Sequence, residues 1–184
     1  MRLALIAIAL VFVTFGGYYR IRSQQPGESL DRSREGWPLF AAIRLTGLLT
    51  VAATAFWLHK TQWPAPSTLR WTGVICFALS VAWLIWMFHT LGRNLTDTVV
   101  TRREAFLVIH GPYRYVRNPM YTGVLMAGMS LGLALRTWLL PGGSLAMFAL
   151  FAVRTRIEER YLIERFGDAY RDYMQTTGRF FPRL

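Results

Sequence analysis

PMYTGVLMAGMSLGLAL, Pro119–Leu135, is followed after Arg136-Thr137 by WLLPGGSLAMFALFAV, Trp138–Val153. Neither run contains a charged residue, and two residues between them leave no room for a loop. The pattern predicts a helical hairpin turning near Arg136 to Gly143, with Pro141-Gly142-Gly143 as the breakers. Each run approaches the roughly 20 apolar residues that a membrane-crossing helix needs. Three more runs lie before them: Leu3–Tyr19, Leu39–Leu58 interrupted by Arg44, and Leu69–Leu91 with Arg70 at its edge. The expected fold is all-α and integral to the membrane. It has five transmembrane helices, the hairpin being spans 4 and 5, and a cytoplasmic C-terminal helical segment. No small-x-small cleavage site precedes Arg20, so the first run reads as a retained span rather than a signal peptide. A single membrane domain is expected over 1–184. Residues 1–91 hold spans 1–3, and 92–184 hold a loop, the hairpin and the C-terminal helices.

Composition narrows the class further. Of 184 residues 53% are apolar, and 21 Lys plus Arg against 10 Asp plus Glu leave a formal charge of +11. So apolar a chain is not disordered. Cys76 is the only cysteine, which excludes a disulfide scaffold and a cysteine-based zinc site. His59, His89 and His110 are scattered without carboxylates at ligand spacing, so no metal is expected. Nucleic acid could match the charge but not the apolar runs, and membrane lipids are the expected partner. With five spans, one side receives Arg20, Arg22, Arg32 and Arg34, then Arg93, Arg102, Arg103, Arg114 and Arg117. The same side receives the tail's Arg154, Arg156, Arg160, Arg165, Arg171, Arg179 and Arg183. The other side receives only Arg2, Lys60, Arg70 and Arg136. The positive-inside rule then puts the N-terminus outside and the C-terminus in the cytoplasm.

Two of the polar segments carry functional groups. The loop before the fourth span reads FLVIHGPYRYVRNPMYTG, Phe106–Gly123. Asn118 is placed to N-cap the fourth helix and Pro119 to open it, where a missing N–H costs nothing. The tail reads RTRIEERYLIERFG, Arg154–Gly167, with Gly167 as its helix C-cap and a short helix over Ala169–Gln175 beyond it. Arg154, Glu158, Tyr161 and Arg165 share one helix face. Taken by themselves, aromatics and arginines at a bilayer surface read as anchors and headgroup contacts. The tail by itself reads as a solvated, ion-paired helix.

Linked, the two segments resemble the isoprenylcysteine carboxyl methyltransferase family, which is grouped with the phospholipid N-methyltransferases. The resemblance rests on Leu107-Val108, Gly111-Pro112-Tyr113, Arg117-Asn118-Pro119-Met120-Tyr121-Thr122-Gly123, the hairpin, Arg154 with Glu158-Glu159, and Phe166-Gly167 with Tyr170 and Tyr173. It covers residues 92–184. It implies a membrane-embedded enzyme using S-adenosylmethionine to methylate a lipophilic or lipidated acceptor entering from the bilayer. Carried over residue by residue, the cofactor contacts are Phe106, Leu107, Val108, Tyr113, Asn118, Pro119, Met120, Tyr121, Glu158 and Glu159, and Arg154 faces the substrate. Asn118 departs from the family's His. It keeps hydrogen-bonding capacity but does not titrate near neutral pH. Arg44 reads as a cation that snorkels to the surface, pairs with Glu158 or Glu159, or touches the substrate head. Two other readings stay open: a relative of the NADPH-dependent sterol-type reductases, and a non-catalytic membrane subunit with a vestigial pocket.

Overall fold

The computed structural model describes residues 2–23, 37–91 and 106–183. Among these residues six α-helices follow in order: α1 (Arg2–Ser23), α2 (Trp37–Trp57), α3 (Ser67–Leu91), α4 (Pro119–Leu135), α5 (Leu139–Phe166) and α6 (Asp168–Thr176). Short 3-10 turns occur at Leu58–Lys60 and Gly111–Arg114. Among the described residues there is no strand, only the isolated bridges Gln62–Thr137 and Val116–Gly178. Among the described residues, two helices are long and apolar enough to cross a membrane, Pro38–Lys60 and Ser67–Leu91. Leu3–Phe15 and Pro119–Leu135 are shorter apolar helices.

The helices pack in the order α1, α3, α4, α5, α2. Small residues set the close approaches, as expected where packing and not hydrophobicity drives helix association. A Cβ on Gly73 would meet the Ala134 backbone at 2.5 Å, and one on Gly123 would meet Leu84 at the same distance. Positions rise on α3 as they fall on α4, so this pair is antiparallel. The contacts of Gly128 with Ser144 and of Gly132 with Pro141 show the same relation between α4 and α5. One core cluster joins Leu5, Val74, Phe77, Val81 and Ala134, and a second joins Ile43, Tyr121 and Phe151.

The outward faces are apolar too, with Leu3, Val13, Leu48, Val51, Phe56, Ile75 and Leu79 all exposed. An apolar surface of this extent suits lipid and not water. Helix hydroxyls turn inward on their own backbone: Thr50, Thr54, Ser80 and Ser130 each donate to the carbonyl four residues earlier. This satisfies them without solvent.

The turn between α4 and α5 differs from the sequence expectation. It spans only Arg136, Thr137 and Trp138, with Arg136 in the left-handed region at φ 60°. Pro141, Gly142 and Gly143 lie within the first five residues of α5. Proline is tolerated there because first-turn N–H groups have no intrahelical partner. α5 then runs unbroken past Val153 to Phe166 and ends at Gly167, whose φ of 55° suits glycine. The chain thus carries its charged segment, Arg154–Arg165, as a rigid extension of an apolar helix.

Candidate active site

The polar centre forms where α5 leaves its apolar stretch. Tyr121, two residues into α4, is 2% exposed and stacks on Phe151 with ring centroids 4.2 Å apart. That stack aims its hydroxyl along α5, and it donates to Glu158 Oε1 at 2.7 Å. Arg154 Nε donates to the same oxygen at 2.9 Å, one helical turn away. Glu158 and Arg154 keep 19% and 13% of their side-chain surface exposed. This row of phenol, carboxylate and guanidinium is therefore within reach of a ligand.

Glu159 points into a different environment. Its Oε1 accepts from Arg117 Nε at 3.0 Å and Nη2 at 2.9 Å, and its Oε2 accepts from Arg179 at 2.5 Å. Arg117 Nη1 also donates to the carbonyls of Met174 and Thr177, at the C-terminal end of α6. Both Arg117 and Glu159 are almost wholly buried. A charge pair so placed holds only when its remaining hydrogen-bonding capacity is filled, as it is here. The cluster ties α5, the α4 entry and α6 into one unit.

The tail after α6 closes the unit. Arg117 N donates to Gly178 O at 2.8 Å and Asn118 N to Arg179 O at 3.1 Å. The Asn118 side-chain amide donates to the same Arg179 carbonyl, and Thr122 to Phe180 O at 2.7 Å. Asn118 thus stands at the N-cap position of α4, but its side chain makes no cap bond and grips the tail instead. Pro119 opens the helix as expected, is fully buried, and its carbonyl accepts the Trp83 indole N–H at 2.9 Å. Met120 packs at the edge of the Ile43–Tyr121–Phe151 cluster.

Residues 106–116 form the other wall. Gly111 takes φ +60°, and a Cβ there would meet Thr90 Oγ1 at 2.5 Å, so a glycine lets the loop sit close on the last turn of α3. Val108 is buried, Leu107 half-buried and Phe106 largely exposed. Tyr113 is half-buried, and the Tyr173 hydroxyl donates to its carbonyl. Burial, then Tyr173 and Glu158, push the Tyr113 phenol above its ordinary value. Burial and Glu159 do the same at Tyr170 against the opposing pull of Arg117, and burial does so at Tyr173. The structure therefore gathers Leu107, Val108, Tyr113, Asn118, Pro119, Tyr121, Arg154, Glu158 and Glu159 at one end of the bundle. Arg44 is exposed, its guanidinium 4.6 Å from the centre of the Phe40 ring.

Sequence reasoning passed over Tyr170, Tyr173 and Arg179 as site residues. Their i, i+3 spacing placed the two tyrosines on one face of α6, which was the available signal. Arg179 had none, because its partner Glu159 lies twenty residues upstream.

Fold and site together define a helical membrane protein whose buried polar chemistry is gathered at one end of the bundle. A sequence model of the phospholipid methyltransferase family matches residues 68–169. The chain belongs to that family. It is 33% identical over 98 residues to a protein-S-isoprenylcysteine O-methyltransferase of Dictyostelium discoideum, covering 52% of this chain and 41% of that one. It is 36% identical over 99 residues to the Schizosaccharomyces pombe protein of the same name, covering 50% and 41%. A methanethiol S-methyltransferase of Pseudomonas deceptionensis is 35% identical over 79 residues, covering 39% and 27%. Among solved structures, a eukaryotic intramembrane Ras methyltransferase (isoprenylcysteine carboxyl methyltransferase) aligns with TM-score 0.57 and 25% identity. That alignment covers 80% of this chain and 53% of the other. The chain thus spans less than half the length of these curated relatives.

Proposed function

We propose that the chain is an S-adenosylmethionine-dependent methyltransferase acting on a lipophilic acceptor at the cytoplasmic membrane face, by carboxyl methylation of an isoprenylcysteine-like substrate. The observation that carries this reading is the row Tyr121–Glu158–Arg154, with Tyr113 and Tyr170 near enough for the Glu158 charge to raise their phenols. The donor set fits the cofactor's chemistry. Neutral phenols and the Leu107–Val108 stretch suit an adenine, and a partly exposed carboxylate suits ribose hydroxyls or an ammonium. Glu158 is the better candidate of the two glutamates, because both Glu159 oxygens are occupied by arginines.

When bound, S-adenosylmethionine supplies a methyl group activated by its sulfonium. The protein's part is alignment, which contributes several kcal/mol without acid–base chemistry when the acceptor is already an anion. Tyr121 and Arg154 hold the Glu158 carboxylate in one rotamer. Arg154 presents a planar guanidinium suited to a carboxylate acceptor. It lies where α5 leaves the apolar stretch, so a lipid tail can stay in the bilayer while its head reaches the site.

The same reading includes five spans, with α1 to α5 each crossing, the N-terminus outside and the C-terminus cytoplasmic. The one-sided arginines support it. The homology to a methanethiol enzyme makes the acceptor the point to test. Purified protein is incubated with methyl-labelled cofactor and either an S-prenylated cysteine, its preformed methyl ester, or a small thiol. Label is expected on the free acid alone. Label on the thiol instead would overturn the acceptor assignment, and no calorimetric binding of the cofactor would overturn the enzyme reading.

A further inference from the structure

The opposite end of the bundle is also built as a unit. Trp63 N donates to Arg136 O at 3.1 Å, and the Arg136 guanidinium donates to Gln62 Oε1 at 3.1 Å. The Thr61 and Thr137 hydroxyls meet at 2.8 Å, and the Trp63 and Trp138 indoles stack at 5.6 Å. Arg70 belongs to the same piece by register. Gly73 lies against Ala134 and Gly123 against Leu84, so on the antiparallel α3–α4 pair Arg70 stands level with Thr137.

Two features of this piece remain unmatched. The indole N–H of Trp63 and the Nε of Arg70 are buried, and neither has an acceptor. Such orphaned donors are costly and rare in native proteins. The charge is also one-sided. No Asp or Glu occurs in residues 36–96 or 105–157. The ten acidic residues fall between α1 and α2, after α3, or from Glu158 onward, all joined in sequence to the other ends of the helices. Among the described residues, Lys60, Arg70 and Arg136 therefore have no carboxylate at their own end of the bundle.

We propose that this end is a phosphate-binding site, with Arg70 and the Trp63 indole N–H as its inner donors and Arg136 at its rim. The occupant that fits is the headgroup phosphate of an anionic phospholipid. A guanidinium matches two phosphate oxygens. A stacked tryptophan pair with a polar edge suits the headgroup level of a bilayer. Bound there, a lipid would neutralise the cations and brace the 58–70 connection against the α4–α5 turn. The site is separate from the Glu158 centre, and nothing in the methyl-transfer reading requires it.

The test uses the full chain, delipidated in a zwitterionic detergent. Thermal unfolding and native mass spectrometry are run with phosphatidylglycerol, with diacylglycerol that lacks the phosphate, and with inorganic phosphate. Phosphatidylglycerol is expected to be retained and to raise Tm, and diacylglycerol to do neither. Arg70→Gln should weaken phosphatidylglycerol retention about tenfold, since it removes a charge-assisted bond. Trp63→Phe keeps a stacking ring and should weaken it about threefold. Methyl transfer should be unchanged in both variants. Retention of inorganic phosphate as tight as that of phosphatidylglycerol would support the phosphate site and assign it to a free anion. Diacylglycerol retained as well as phosphatidylglycerol, or retention unaltered in both variants, would overturn the proposal.

Discussion

Glu158 and Glu159 are neighbours in sequence on one helix, and their surroundings divide the polar end of the molecule into two regions. Glu159 is enclosed: Arg117 and Arg179 donate to its two oxygens, and the carbonyls at the end of α6 accept the remaining Arg117 donors. Glu158 stays partly exposed, with a phenol and an arginine both donating to its Oε1. A 100° step along a helix separates a carboxylate that builds the site from one that can serve it. A paired acidic motif therefore need not mean two ligand-binding carboxylates.

The largest effect expected from breaking this division is on stability. Arg117→Ala leaves Glu159 buried with only Arg179, itself partly exposed, and uncaps the end of α6. Removing one partner of a buried pair typically costs about 3–5 kcal/mol. Urea or thermal unfolding in detergent should show a loss of that order, and the fraction folded should fall. If Arg117→Ala unfolds with the wild-type midpoint, the cluster is not what holds α6 in place. Glu159→Gln should be milder than Arg117→Ala, because the amide oxygen can still accept from buried Arg117 while its NH2 gives up only the bond to the partly exposed Arg179.

On the Glu158 side the expected loss is in binding rather than in folding. Glu158→Gln keeps shape and one acceptor but removes the charge. Calorimetric affinity for the cofactor should drop roughly 10- to 100-fold, in line with about 1.5–3 kcal/mol for a charged hydrogen bond. Tm should move little, since the side chain is partly solvated. Tyr121→Phe keeps the stack on Phe151 and removes one bond to Glu158, so a drop of about fivefold is expected, near 1 kcal/mol. An equal loss from Glu159→Gln at unchanged stability would erase the distinction between the two carboxylates.

The sequence made parts of this legible and hid others for physical reasons. Local rules located the α4 start at Pro119, the stop at Gly167 and the α6 helix, because caps and periodicity act within one turn. They bracketed the α4–α5 turn too broadly, at Arg136 to Gly143, because Pro141-Gly142-Gly143 read as breakers although the start of a helix tolerates them. They identified Asn118 at a helix start but not its bond to Arg179, since that partner arrives 61 residues later. The Arg117–Glu159–Arg179 cluster has the same cause: contacts across 42 and 20 residues leave no periodic trace. Arg117 and Arg179 looked alike among sixteen basic residues counted for topology, and only packing distinguishes them.

The smallest effect concerns the phenols that border both regions. Tyr113, Tyr170 and Tyr173 are all held above the ordinary tyrosine value, chiefly by burial. A group whose pKa is raised in the folded state loses no stability below its unfolded pKa, near 10. Stability then declines as pH rises past 10 towards the folded values. Between pH 7 and 10 these three tyrosines should therefore leave Tm unchanged, and methyl transfer should show no step from them. Absorbance at 295 nm should show the more exposed tyrosines ionising first, and these three only as the protein unfolds. A phenolate signal from Tyr113 in folded protein near pH 10, identified by its loss in Tyr113→Phe, would mean that the wall beside Glu158 is as open as Glu158 itself. The boundary between the closed and the open region would then lie on the other side of that ring.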